Sequence, residues 1–131
     1  MAIFVNKPVL TVIVDEGIDR AVITVQGQIE FSELDRSLMQ SGLVFTLRGR
    51  LMGSDSGLFG SDDFLLNMGS RSFTGTQPAR VSWVLQRSNI AKSVLNEDAG
   101  EDELFADLQL SNSLTNTVVA RASSQQVVGS F

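Results

Sequence analysis

At 131 residues, with 43% hydrophobic and 19% charged residues, the chain has the make-up of one ordinary globular domain rather than a disordered segment. Fifteen acids against ten bases leave a formal charge of −5, which opposes phosphate backbones and argues against nucleic acid as a partner. There is no cysteine, so neither a disulfide framework nor a thiolate metal site can form.

The N-terminus, Met1 to Pro8, lacks a basic stretch followed by a long apolar one, so no secretory signal is expected. No apolar run approaches the roughly 18 residues of a membrane-spanning helix, and no membrane insertion is expected. These features predict a soluble protein, cytoplasmic or carried in a virion or similar particle. Residues 1–7 form a candidate N-terminal arm on a single domain spanning 1–131. Pro8 to Val14 is apolar almost throughout, as suits a strand buried on both faces or an edge covered by a partner.

From Arg20 to Phe31 the period is two: Val25, Gly27, Ile29 and Phe31 alternate with Gln26, Gln28 and Glu30. Phe31 to Met39 is predicted to form one or two helical turns capped by Ser32. Leu43 to Leu51 alternates again, with Leu43, Phe45, Leu47 and Leu51 on one side and Thr46, Arg48 and Arg50 on the other. Ala79 to Arg87 turns Val81, Trp83 and Leu85 inward. Glu101 to Leu110 fits a strand and, less well, a helical turn; strands on either side favour the strand. Thr115 to Ala122 and Gln126 to Phe131 read as closing strands. Turn residues separate these runs at 15–17, 53–57, 60–63, 69–70, 111–113 and 123–124.

Several short strands between frequent turns predict an all-β fold: an antiparallel β-sandwich of about seven to nine strands with at most one short helix. Its architecture resembles immunoglobulin-like and C2-like sandwiches, and architecture alone carries no function. The expected core draws on Leu10, Val12, Val25, Ile29, Phe45, Leu47, Val81, Trp83, Leu85, Leu108, Val118 and Val128.

The absence of histidine, cysteine and tyrosine removes the usual general base, thiolate nucleophile and phenolic acid together, so no enzyme is expected. Asp55-Ser56-Gly57 looks like a serine nucleophile loop but has no histidine to activate it, and no phosphate-cradling glycine loop is present. Acids gather in two loops, one with Asp55, Asp62 and Asp63 and one from Asn96 to Glu103. Oxygen-rich loops of this kind can hold calcium, which makes Asp55, Asp62 and Asp63 a candidate metal site; they also serve simply to solvate a β-rich protein. The two loops share an end only if the strand beginning near Ala79 runs on through Ser88-Asn89.

Both ends of the chain are apolar, with Ile3, Phe4 and Val5 at one and Val128 and Phe131 at the other. Apolar ends and an apolar first strand suit pairing with another chain. The expected function is therefore a non-catalytic subunit of a multimeric assembly such as a shell, tube, filament or virion-like particle. Such a subunit would contact copies of itself or other subunits through sheet edges and these termini. The alternative is a monomeric binding or adhesion module whose acidic loops take calcium.

Overall fold

The computed structural model describes residues 1–54, 62–95 and 102–129. Its elements run β1 (Ile3–Asp15), β2 (Arg20–Glu30), α1 (Glu33–Gln40), β3 (Phe45–Ser54), β4 (Asp63–Phe73), β5 (Arg80–Ala91), α2 (Lys92–Leu95), β6 (Asp102–Asn112), β7 (Val118–Ser123) and β8 (Val127–Gly129). They make a β-sandwich of two antiparallel sheets, one ordered β1-β2-β5 and the other β4-β3-β6-β7, with β8 also paired to β6.

Period-two alternation builds the core between them. Ile23, Val25 and Ile29 of β2, with Val81, Trp83 and Leu85 of β5, face Phe45, Leu47 and Leu51 of β3 and Leu104, Ala106, Leu108 and Leu110 of β6. Burying each of the larger side chains contributes about 1.5–3 kcal/mol. Val118 and Val128 do not join this core: they are 37% and 53% exposed, because both sit on short edge strands with their side chains turned outward.

The crossing from the first sheet to the second is built around an aromatic cluster. Phe31 lies 5.1 Å from Phe45 and 5.7 Å from Phe73, centroid to centroid. Next to it Ser32 caps α1, its Oγ accepting from Asp35 N at 3.1 Å while Asp35 Oδ2 accepts from Ser32 N at 3.2 Å. This reciprocal pair satisfies two backbone donors that a helix start otherwise leaves open. Gly42, at φ +110°, ends the helix and returns the chain to β3.

β4 and β5 differ from the sequence expectation. β4 was not expected, because Met68 is an extra residue between the pairs Gly49–Gly69 and Arg50–Asn67 and the bulge breaks the alternation. β5 continues past Ser88-Asn89 to Ala91, absorbing the turn residues as a bulge with Asn89 at φ +56°. Strict alternation of strand direction therefore puts the 16–19 turn, the end of β3 and the start of β6 at one end of the sandwich. Residues 55–61 and 96–101, between those strands, lie outside the described residues.

Side chains bridge both open seams between the sheets. Gln125, between β7 and β8, accepts from Leu10 N at 3.0 Å and donates to Leu10 O at 2.8 Å, joining β1 to the other sheet. On the opposite side Arg71 donates to Ser82 O at 3.0 Å and Arg87 to Asn67 O at 2.6 Å, joining β4 to β5.

Candidate functional site

The outer face of the five-stranded sheet carries its chemistry in cross-strand rows, since residues paired across antiparallel strands share a face. Along β3 the outward positions are Thr46, Arg48, Arg50, Met52 and Ser54. Arg48 pairs with Ser70 on one side and Gln109 on the other, and Gln109 pairs in turn with Arg121. Arg50 stands between Asn67 and Asp107, and Met52 between Phe64 and Phe105. The last row sets Ser54 against Glu103, and Glu103 against Val128.

This face thus runs from a cationic half to an aromatic row and on to an acidic margin. Three arginines gather on a chain of opposite net charge, although only Arg48 and Arg50 are close in sequence. Arg48 is exposed and donates a hydrogen bond to Ser111 Oγ at 3.2 Å. Arg50 forms an ion pair with Asp107, both side chains partly exposed. The bulge at Met68-Gly69 opens a shallow cleft of about 330 Å³ here, lined by Arg48, Arg50, Asn67, Gly69, Ser70 and Gln109. One row further on, Phe64 is 52% exposed beside Met52 and Phe105.

The outward arginines of β3, Arg48 and Arg50, are legible in the sequence as residues on one side of a strand. Arg121 enters through β7, two strands away, and Phe64 through β4, which was not expected. Only the strand order brings them together.

The residues singled out from sequence are dispersed. Asp62 and Asp63 are exposed at the start of β4, and Asp55 lies outside the described residues. Among the described residues no group of three or more carboxylates is close enough to hold a metal ion. Ile3, Phe4 and Val5 pair with Glu30, Ile29 and Gln28, so this part of the candidate arm is a strand of its own sheet. Phe4 turns inward, its ring edge-on to Trp83 at 6.3 Å, whereas Ile3 is 49% exposed. Val128 points outward beside Glu103, and Phe131 lies outside the described residues. No described helix is long and apolar enough to cross a membrane.

No protein-family model and no curated protein matches the chain. Among solved structures it is similar to Bacteroides uniformis beta-glucuronidase, with a TM-score of 0.56 and 10% identity over 99% of this chain. It is similar to Bacteroides uniformis beta-glucuronidase 2 covalently bound to cyclophellitol-6-carboxylate aziridine, at 0.58 and 9% over 99%. A calcium-binding mutant of the same glucuronidase 2 gives 0.55 and 9% over 93%. In each case the match covers 14% of the longer chain. At such identity the similarity shows the fold alone, a β-sandwich.

Proposed function

We propose that the chain is a non-catalytic docking module that associates with a second copy of itself through the outer face of its five-stranded sheet. The observation that carries this reading is the pairing of Arg50 with Asp107 on the two central strands, next to the Phe64–Met52–Phe105 row. A two-fold axis running between β3 and β6 exchanges those strands. It sets each Arg50 over the other copy's Asp107, and each Met52 over the other copy's Phe105. Phenylalanine, methionine and arginine are also the residues that protein interfaces favour. Strands about 4.8 Å apart and outward residues about 6.7 Å apart along each give the face on the order of 500 Å² per copy. Two copies then bury about 1,000 Å², the lower bound for a specific interface.

The bridged seams favour this face over the sheet edges. Strand addition needs free backbone groups, and Gln125, Arg71 and Arg87 occupy the neighbouring edges at three points. The lack of histidine, cysteine and tyrosine supports a role without catalysis.

Light scattering after size exclusion, over a range of concentrations, tests the proposal. The chain should approach twice its mass as concentration rises, and Phe64→Asp should hold it at the monomer. Arg50→Asp and Asp107→Arg should each weaken the dimer, and the double exchange should restore it. A dimer indifferent to all four variants would place the contact elsewhere. A monomer at every concentration would overturn self-association. It would favour a second reading, prompted by the match to 14% of larger chains, in which the face seats on a neighbouring domain.

A further inference from the structure

The outer face of the three-stranded sheet, on the far side of the molecule from the arginines, has an uncharged centre. Its middle rows across β1, β2 and β5 are Val9–Gln26–Val84 and Thr11–Thr24–Gln86. Val5–Gln28–Ser82 lies on one side of them and Ile13–Val22, where β5 bulges, on the other. Val9, Ile13 and Val84 are all exposed. Charge returns at the margins: Asp15 stands beside Arg20 in one end row, and Glu30 accepts from Arg80 Nε at 3.2 Å in the other. Lys7 sits in the bulge of β1, where Asn6, Lys7 and Pro8 lie opposite Gly27 alone and leave a shallow cleft of about 300 Å³.

Two copies of a chain with net charge −5 repel, and they approach at least cost through surface free of carboxylates. A two-fold axis lying along β2 in the plane of contact sets each outward residue of that strand over itself. A charge in such a place would meet its like. Val22, Thr24, Gln26 and Gln28 carry none, and hydroxyls and amides both donate and accept, so each can pair with its own kind. The same axis exchanges β1 with β5, which sets Val9 over the other copy's Val84 and Thr11 over its Gln86. The polar groups are already held in place: Gln86 Nε2 donates to Thr24 Oγ1 at 3.1 Å and Gln28 Nε2 to Ser82 Oγ at 3.4 Å. Side chains ordered beforehand lose less entropy on association.

We infer that this face is a second self-association surface, and that copies joined through both faces stack into an open-ended filament. Two-fold axes on opposite faces of a sandwich do not meet, so applying them in turn displaces each pair along a line and never closes a ring. Four uncharged rows about 6.7 Å apart, on strands about 4.8 Å apart, give on the order of 400 Å² per copy and about 800 Å² for the pair. That is less than the five-stranded face offers, so this contact is the weaker and forms at concentrations above those that complete the first dimer. The filament depends on the dimer proposed above, whereas this contact does not.

Sedimentation equilibrium of the intact chain, carried beyond the concentrations that complete the dimer, tests the inference. The mass should pass twice that of the chain and keep rising. Thr24→Glu should hold it at twice, weakening this contact at least about ten-fold through like charges brought face to face. Phe64→Asp should stay monomeric until the same high concentrations and then reach twice the mass and no more. Thr24→Lys should act as Thr24→Glu does, and an equal mixture of the two should restore growth, because position 24 meets itself. An unaltered chain that halts at twice its mass, or growth that Thr24→Glu leaves untouched, would overturn the inference. So would two variants that each block growth and remain blocked when mixed. If Thr24→Glu lowers the mass and Phe64→Asp does not, this contact stands and the five-stranded face is the one overturned.

Discussion

Gly27 in β2 and Gly49 in β3 stand in comparable places, each midway along a strand with neighbours on both sides, below an outer cleft and beside a bulged edge strand. What lies beneath them differs. A Cβ at Gly27 would meet the fused ring of Trp83, 2.8 Å from Cζ2 and 3.2 Å from Cε2. At Gly49 it would meet the methyl ends of Leu85 and Leu108, at 2.8 and 3.0 Å, and Met68 Cβ at 3.3 Å. An indole held edge-on by Phe4 has no small rotation that frees the space, whereas leucine methyls do. Two glycines under similar steric pressure therefore serve different neighbours: one seats a rigid anchor, and the other leaves room for movable leucine side chains from both sheets.

The sharpest way to break the comparison is to remove the anchor. Trp83→Ala leaves a large void beneath Gly27 and should cost about 3–5 kcal/mol in chemical denaturation. A loss under about 1 kcal/mol would mean that the indole is not held by the core. Refilling the space from above should cost less but separate the two positions. Gly27→Ala should lose about 1–3 kcal/mol, because the ring or the strand must move. Gly49→Ala should lose under about 1 kcal/mol, since only leucine rotamers and a slight shift at Met68 are needed. Equal losses would show that backbone shifts, rather than side-chain rigidity, decide the cost.

The inner half of this comparison was legible in the sequence. Period two placed Val25, Ile29, Phe45, Leu47, Val81, Trp83 and Leu85 inward, and Ser32 was readable as a helix cap. The outer half was not, for a physical reason. A binding face is assembled from strands distant in sequence, and local patterning gives no register between them. Arg48 and Arg121 come together only because Gln109 of β6 stands between them. The bulges hid still more. Met68 obscured all of β4 and with it Phe64, while Asn6 and Lys7 looked like the end of an arm and Pro8 like the start of a strand rather than the rim of a cleft. Val118 and Val128 misled in the other direction, since valine favours strands but does not tell an inner from an edge position.

The seams beside the two bulged strands offer the smallest predicted effects and refine the comparison. β1 is tied across by Gln125, whose side-chain amide takes the place of a strand at Leu10, in a partly buried setting. β4 is tied by the exposed Arg71 and Arg87. Gln125→Ala leaves the Leu10 N–H and C=O without protein partners and should cost about 1–3 kcal/mol. Arg87→Ala frees a carbonyl that water can reach and should cost under about 1 kcal/mol. Hydrogen exchange separates these effects from global stability. In Gln125→Ala the Leu10 amide should exchange faster than the drop in unfolding free energy accounts for, whereas Arg87→Ala should leave that amide unchanged. If Leu10 exchange does not rise in Gln125→Ala, the glutamine is not what closes this edge, and strand addition at β1 again becomes a route for association.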